Sequence, residues 1–297
     1  MRIEVVAVVT IATSGCGQVA AVANHDAAID TTTDTTTAVD APAPPCDRTK
    51  PFGTLTQVLG IHDSNSDDVH ATLTGDELTV YFGSNRGNGT FHIYRATRAT
   101  KESVFNAPGQ LFDTFMQNGE SNPSVTPDGN TIYFDAGFVI YTSTRSSAAV
   151  VFPAPSPINS TSEANYGPSV TADGSAIYVE NLNMGSIARI DKTASGFSDR
   201  QTVPLGGGFS VTSPATSDDL TLFFSIGEMI GSDIQVSTRA SKNVAFPTAL
   251  EVAELKNPNE ATSAVSWVSA DGCRVYMNRA LAATGSHSII YVAERGK

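Results

Sequence analysis

The sequence predicts an all-β fold: a five-bladed β-propeller of four-stranded antiparallel blades, its ring closed by an N-terminal strand, 52–58, lodged in the last blade. Three observations predict it. One short pattern recurs five times, each copy sits between two further strand-like segments, and an orphan fourth strand precedes the first copy.

The recurring pattern is "TGDELTVYF" (74–82), "TPDGNTIYF" (126–134), "TADGSAIYV" (171–179), "TSDDLTLFF" (216–224) and "SADGCRVYM" (269–277). In each, a turn built on Asp76, Asp128, Asp173, Asp218 or Asp271 leads into a strand that alternates with bulky apolar residues. The repeated aspartate is expected to hold the turn by accepting backbone N–H bonds. A sialidase-type Asp box would need a residue between Asp and Gly. Before each turn lies a small-residue strand ("VHATL", "NPSVT", "GPSVT", "TSPAT", "AVSWVS"), suited to the crowded centre of a ring. After it comes a third strand ("FHIYRATR", "FVIYTSTR", "SIARIDK", "SDIQVSTR", "SIIYVAER").

A fourth strand then begins with Phe and carries an aliphatic residue six positions on: Phe105/Leu111, Phe152/Ile158, Phe197/Val203 and Phe246/Val252. The last copy has no such strand after it, but Phe52/Val58 stands ahead of the first. Units of about 45 residues with four strands each are the signature of a propeller. The displaced strand identifies a closed ring rather than an open solenoid, which needs polar caps.

The cysteines provide a second closure. Cys46 lies just upstream of the closing strand, and Cys273 begins the second strand of the last blade, on the same face of the ring. The strand starts are about 10 Å apart, a gap the residues between Cys46 and Phe52 can cross, so a Cys46–Cys273 disulfide is expected. An exported setting permits it.

Cys16 is the odd cysteine. It ends "MRIEVVAVVTIATSGC", which reads as a short export signal (1–16) closing on a lipoprotein-type cleavage box, with Cys16 lipidated; the apolar run is too short to span a membrane. Residues 17–45 are mostly Ala, Thr, Asp and Pro and read as a disordered tether, leaving 46–297 for the propeller. The expected location is the bacterial cell envelope, outer-membrane or periplasmic, with the membrane reached only through the lipid anchor.

Acids outnumber bases 30 to 18, for a net charge of −12. That field repels phosphate backbones, so no nucleic-acid partner is expected. No G-x-S-x-G elbow, H-E-x-x-H pair or phosphate-binding glycine loop is present. The metal candidates are weak: Asp63, Asn65 and Asp67 have the first half of a calcium-loop spacing, but Asp68 stands where Gly is usual and Thr74 where the bidentate Glu belongs. No cofactor is expected, calcium being the one cation the spacing suits.

An acid recurs just ahead of the inner strand: Asp68, Glu120, Glu163 and Glu260, with "GGGFSV" in its place in the fourth blade. These loops share a face with Arg86 and Arg279, so the charges should gather around the mouth of the central channel. Two readings stand side by side. The acids brace neighbouring blades by pairing with arginine, or they line a pocket for a small polar or cationic ligand or a protein loop.

At these repeats the chain resembles the TolB-type, WD40-like propeller repeats, with pattern S-x-D-G-x-x-L/I-Y-F-x-S-x-R followed by D-I-Y. The resemblance spans about residues 52–297 and is best in "GDELTVYFGSNRGNGTFHIYRATR" and "SADGCRVYMNR". The second blade lacks S-x-R, the third loses the Tyr of "SIARIDK", and the fourth has Asp218-Asp219 for Asp-Gly. The resemblance implies an exported protein that binds other molecules, and it speaks for fold more than for function. The expectation is a monomeric, non-catalytic binding or protein-interaction module for an envelope protein, small polar ligand or glycan. The alternative is a glycan-active enzyme, a hydrolase or lyase, using channel carboxylates.

Overall fold

A computed structural model describes residues 46–112, 119–158, 165–205, 210–227, 233–256, 260–281 and 287–296, with the backbone alone at 260–262 and 281. The expected signal (1–16) and tether (17–45) lie outside the described residues. Five antiparallel sheets form five blades. Blade I holds β2 (Asp68–Leu73), β3 (Thr79–Ser84), β4 (His92–Thr97) and β5 (Gly109–Gln110). Blade II holds β6 (Ser121–Val125), β7 (Thr131–Ala136), β8 (Val139–Thr144) and β9 (Ser156–Pro157). Blade III holds β10 (Asn165–Val170), β11 (Ala176–Asn181), β12 (Ser186–Thr193), a short β13 (Gly196–Phe197) and outer β14 (Gln201–Thr202). Blade IV holds β15 (Val211–Ala215), β16 (Thr221–Ile226), β17 (Asp233–Thr238) and β18 (Leu250–Glu251).

Blade V consists of β19 (Glu260–Val268), β20 (Arg274–Leu281), β21 (Ile289–Glu294) and the displaced β1 (Thr56–Gln57). Thr56 pairs with Val292 and Gln57 with Tyr291, while Phe52 bridges Arg295. The orphan strand therefore closes the ring as the repeat count requires. The Cys46–Cys273 disulfide is present beside it, with a Cα–Cα distance of 5.7 Å.

The inner strands contact one another cyclically, β2 to β6, β10, β15, β19 and back to β2. Their small hydroxyl residues have a use there. Thr72 Oγ1 accepts from Val125 N, Ser124 Oγ from Val170 N, and Ser169 Oγ from Thr216 N, so blades I to IV are bonded each to the next. The core is five apolar wedges, each shared by two blades. Tyr81, for example, packs with Ile132 and Phe134 of blade II, and Tyr133 packs with Ile177 and Val179 of blade III.

The turns follow the local chemistry read from the sequence. Asp76 Oδ1 accepts from Thr74 Oγ1 and Leu78 N, Asp128, Asp173 and Asp271 make matching bonds in their own turns, and Asp218 accepts from Leu220 N and Thr221 N. Where glycine is missing after the aspartate, Glu77 and Asp219 adopt φ +59°. Such a backbone costs about 1 kcal/mol or more. Each carboxylate is buried in ion pairs that offset the cost: Glu77 with Arg98, Lys101 and, across the wedge, Arg274; Asp219 with Arg239, Lys242 and, across the wedge, Arg189. The departure from Asp-Gly in blade IV is thus an inter-blade tie.

Candidate functional site at the mouth of the ring

Inner strands run away from one end of the ring and second strands run back to it, so loops entering the first and leaving the second share that end. This is the mouth. Of the acids and arginines expected there, the side chains of Asp68, Glu120, Arg86 and Arg279 are described, and they turn inward. Asp68 is fully buried. Its Oδ1 lies 2.6 Å from Arg86 Nη2, and its Oδ2 accepts from Asp63 N and sits 3.2 Å from His62 Nδ1. Arg86 also donates to Ile61 O and stacks over Phe82 and Tyr94. The pair braces blade I.

Glu120 is buried with Oε1 3.3 Å from His92 Nδ1, while its Oε2 has no hydrogen-bond partner among the described residues. Burial raises its pKa, and the His92 charge opposes the rise. Arg279 is buried and donates to Leu255 O. Glu163 lies outside the described residues. Glu260 opens β19, and its side chain also lies outside them. Of the weak metal candidates, Asp63 accepts from Asn65 N, and Asp67 accepts from Asn85 Nδ2 and Ser288 N. These bonds tie the segment to the loop after β3 and to the start of β21.

A different pair of acids stands at the mouth, with no cation in ion-pair distance among the described residues. Each second strand places its fifth residue on the face that meets the next blade, two positions beyond its third: Gly83, Asp135, Glu180, Ser225 and Asn278. The neighbouring inner strand carries a bulge there, and its left-handed residue, His70, Asn122, Gly167 or Ser213, has φ between 51° and 53°. The bulge turns a backbone N–H back onto the preceding blade. Gly167 N donates to Asp135 Oδ1 at 3.1 Å, Ser213 N to Glu180 Oε2 at 3.4 Å, and His70 N to Asn278 Oδ1 at 3.4 Å.

Asp135 also accepts from Asn122 Nδ2 at 2.6 Å and Ser121 Oγ at 3.1 Å. Burial pushes its carboxyl up to about 7 against the pull of these donors, and the charge of Glu180 adds to the rise. Burial likewise pushes Glu180 up to about 7, opposed by the Ser213 N–H. Among the described residues neither acid has a cationic partner within ion-pair distance. Tyr166 completes the group: burial and the Asp135 charge raise its pKa, while bonds with Asn122 and Ser121 lower it.

Gly167 touches both acids. Its N–H holds Asp135, and a Cβ built on it would lie 3.9 Å from Glu180 Oε2 with no nearer neighbour. The equivalent positions carry His, Asn and Ser, so glycine leaves room beside the Glu180 carboxyl. Close by in sequence, Asn181 has both amide atoms buried without a partner among the described residues, and Asn122 Oδ1 is in the same state. Buried polar atoms left so are costly, about 1–3 kcal/mol each.

The sequence reading passed over Asp135 and Glu180. A signal existed: the residue after "TIYF" and "AIYV" is acidic where the other copies have Gly, Ser or Asn.

Solved structures share this architecture at low identity. An α-L-arabinofuranosidase from Podospora anserina is similar with TM-score 0.55 and 11% identity over 85% of this chain and 98% of that one. A protein of unknown function from Dyadobacter fermentans is similar with TM-score 0.51 and 10% identity over 81% and 99%. A putative TolB from Agrobacterium tumefaciens is similar with TM-score 0.46 and 15% identity over 77% and 74%. No protein-family model matches the chain, and no curated protein does. The likeness is one of fold.

Proposed function

We propose that this propeller is a binding module that takes a small polar ligand, preferentially one carrying a cationic group, at the mouth of the ring between Asp135 and Glu180. One observation carries the reading: two buried carboxyls flank Gly167, where a Cβ would have only Glu180 Oε2 within 4 Å, with neutral donors around them and, among the described residues, no arginine or lysine within ion-pair distance. A buried charge calls for a counter-charge, or the group neutralises itself. A cationic ligand supplies that counter-charge and ionises both acids. The surrounding field of net charge −12 favours its approach.

Glycan hydrolysis is the second reading, favoured by the presence of two carboxyls that titrate near neutrality and by the arabinofuranosidase of like fold. An acid–base pair works by having environments that push the two pKa values apart. Here both are pushed to about 7, which leaves neither acid marked for one role. Binding is the better fit.

The module is further proposed to act in the cell envelope, exported and lipid-anchored through Cys16. The inter-strand disulfide suits an oxidising compartment. Among the described residues no helix is long and apolar enough to cross a membrane.

The test is a binding screen of the full chain against amines, amino sugars, neutral glycans and envelope proteins, with aryl glycosides assayed for turnover. Saturable binding of cationic ligands that Asp135→Asn and Glu180→Gln each weaken about tenfold supports the reading. Turnover lost in both variants would replace it with the enzyme.

A further inference from the structure

Four wedges between blades repeat one fastening near the Asp-Gly turns, at the end of the ring opposite the mouth. An arginine at the end of the third strand lies over the phenylalanine of the fourth: Arg98 on Phe105 at 4.5 Å, Arg145 on Phe152 at 4.2 Å, Arg239 on Phe246 at 4.4 Å and Arg295 on Phe52 at 4.0 Å. Its Nε donates to the carbonyl of the residue after the turn aspartate: Glu77, Gly129, Asp219 and Gly272 in turn. The guanidinium then reaches the tyrosine hydroxyl of the preceding blade. Arg145 Nη2 donates to Tyr81 Oη at 3.1 Å and Arg239 Nη2 to Tyr178 Oη at 3.3 Å, and Arg98 bonds Tyr276.

The wedge between blades IV and V lacks the last oxygen. Phe223 holds the tyrosine position, edge-on to Phe52 at 6.1 Å and 66°. Tyr81 and Tyr178 meet their own phenylalanines at 6.3 Å and 73° and at 6.4 Å and 72°. The ring is therefore placed as in the other wedges, and only the hydroxyl is gone. The hydrogen bonds of Arg295 to described residues run to Gly272 O and Lys50 O.

In front of Phe223 and Arg295 a cleft of about 270 Å³ opens, with Val236 and Val268 on its apolar wall and Arg48 and Asp218 at its charged rim. Arg48 is held in place by bonds to Asp271 O and Ala270 O, and lies 3.6 Å from Asp218. Asp218 is already bound to Leu220 N and Thr221 N. Glu254, whose charge also reaches Arg295, accepts from Phe52 N and is not on the cleft wall.

We infer that this cleft is a second binding site, for a small organic monocarboxylate with an apolar body. The carboxylate takes the place of the missing tyrosine oxygen between Arg295 and Arg48, and the body lies against Phe223, Val236 and Val268. Guanidinium is the group suited to carboxylate recognition, by paired N–H donors. The site is separate from the mouth and stands whether or not that reading does.

The test uses the full chain, benzoate as probe and benzamide as its uncharged counterpart, followed by NMR of the Val236 and Val268 methyls and the Phe223 ring. Saturable benzoate shifts at those groups, complete by about 10 mM, are expected, with benzamide at least tenfold weaker. Phe223→Tyr restores the absent hydroxyl. It should keep or raise the melting temperature while weakening benzoate at least tenfold. Arg48→Gln, at an exposed side chain, should weaken it severalfold without loss of fold. No saturable shift at these groups, equal binding of benzamide, or undiminished benzoate binding in both variants would overturn the inference.

Discussion

Replacing both Cys46 and Cys273 by serine tests how the ring is held shut. The disulfide closes a sequence separation of 227 residues. In the chain-entropy model a loop of that length restricts the unfolded state by about 5 kcal/mol, an upper figure. The closing segment keeps other anchors: the two-residue ladder of β1, the bonds Gly53 N to Glu294 O and Val58 N to Ile290 O, and Phe52 buried under Arg295. These are worth about 1 kcal/mol each. They keep the double variant folded and the blades paired. The expected outcome is an unchanged far-ultraviolet spectrum with a loss of about 3–5 kcal/mol in urea unfolding, or a fall in melting temperature on the order of 10 °C. Within residues 46–297, limited proteolysis should now cut between Cys46 and Val58 first. A loss below about 1 kcal/mol, or first cleavage elsewhere within 46–297, would refute the claim that the amino-terminal segment fastens the ring.

The Asp135 carboxyl, raised from an ordinary 3.8 to about 7 by burial, favours the folded state fully below about pH 4. That advantage is lost as pH rises through 7, a swing of about 4 kcal/mol. The stability difference between Asp135→Asn and the natural chain should therefore shift in favour of the variant between pH 4 and 8, read by denaturant unfolding at each pH. Asp219→Ala strips Arg239, Arg189 and the Tyr178 hydroxyl of a buried partner. It should cost about 3–5 kcal/mol in the same assay. Gly167→Asn, tolerable at φ +53° as at Asn122, should fill the room beside the Glu180 carboxyl and abolish ligand binding while shifting stability by less than about 1 kcal/mol.

The scaffold was legible because its signals are local. An Asp-Gly turn, a strand period of two and a Phe with an aliphatic partner each announce themselves within ten residues, and repetition removes their ambiguity. The closing strand and the disulfide followed once the blades were counted. The mouth acids were harder to read for a physical reason. Asp135 and Glu180 gain their character from the face of β7 and β11 they occupy and from a bulge in the next blade, some 30 residues on. Of the acids that did recur in the sequence, Asp68, Glu120, Glu163 and Glu260, the first pairs with Arg86 and the second with His92. The sequence reading passed over Phe223, and Asp219 looked like drift from a consensus. In three dimensions one leaves a cleft and the other ties two blades together.

The most direct test of the mouth is a carbon-13 NMR titration of the Asp135 and Glu180 side-chain carboxyls in the unliganded protein. Both midpoints should fall near 7, and both should drop when a cationic ligand binds. Midpoints near 4 in the free protein would mean that the carboxyls already have counter-charges, and the proposed site would be void.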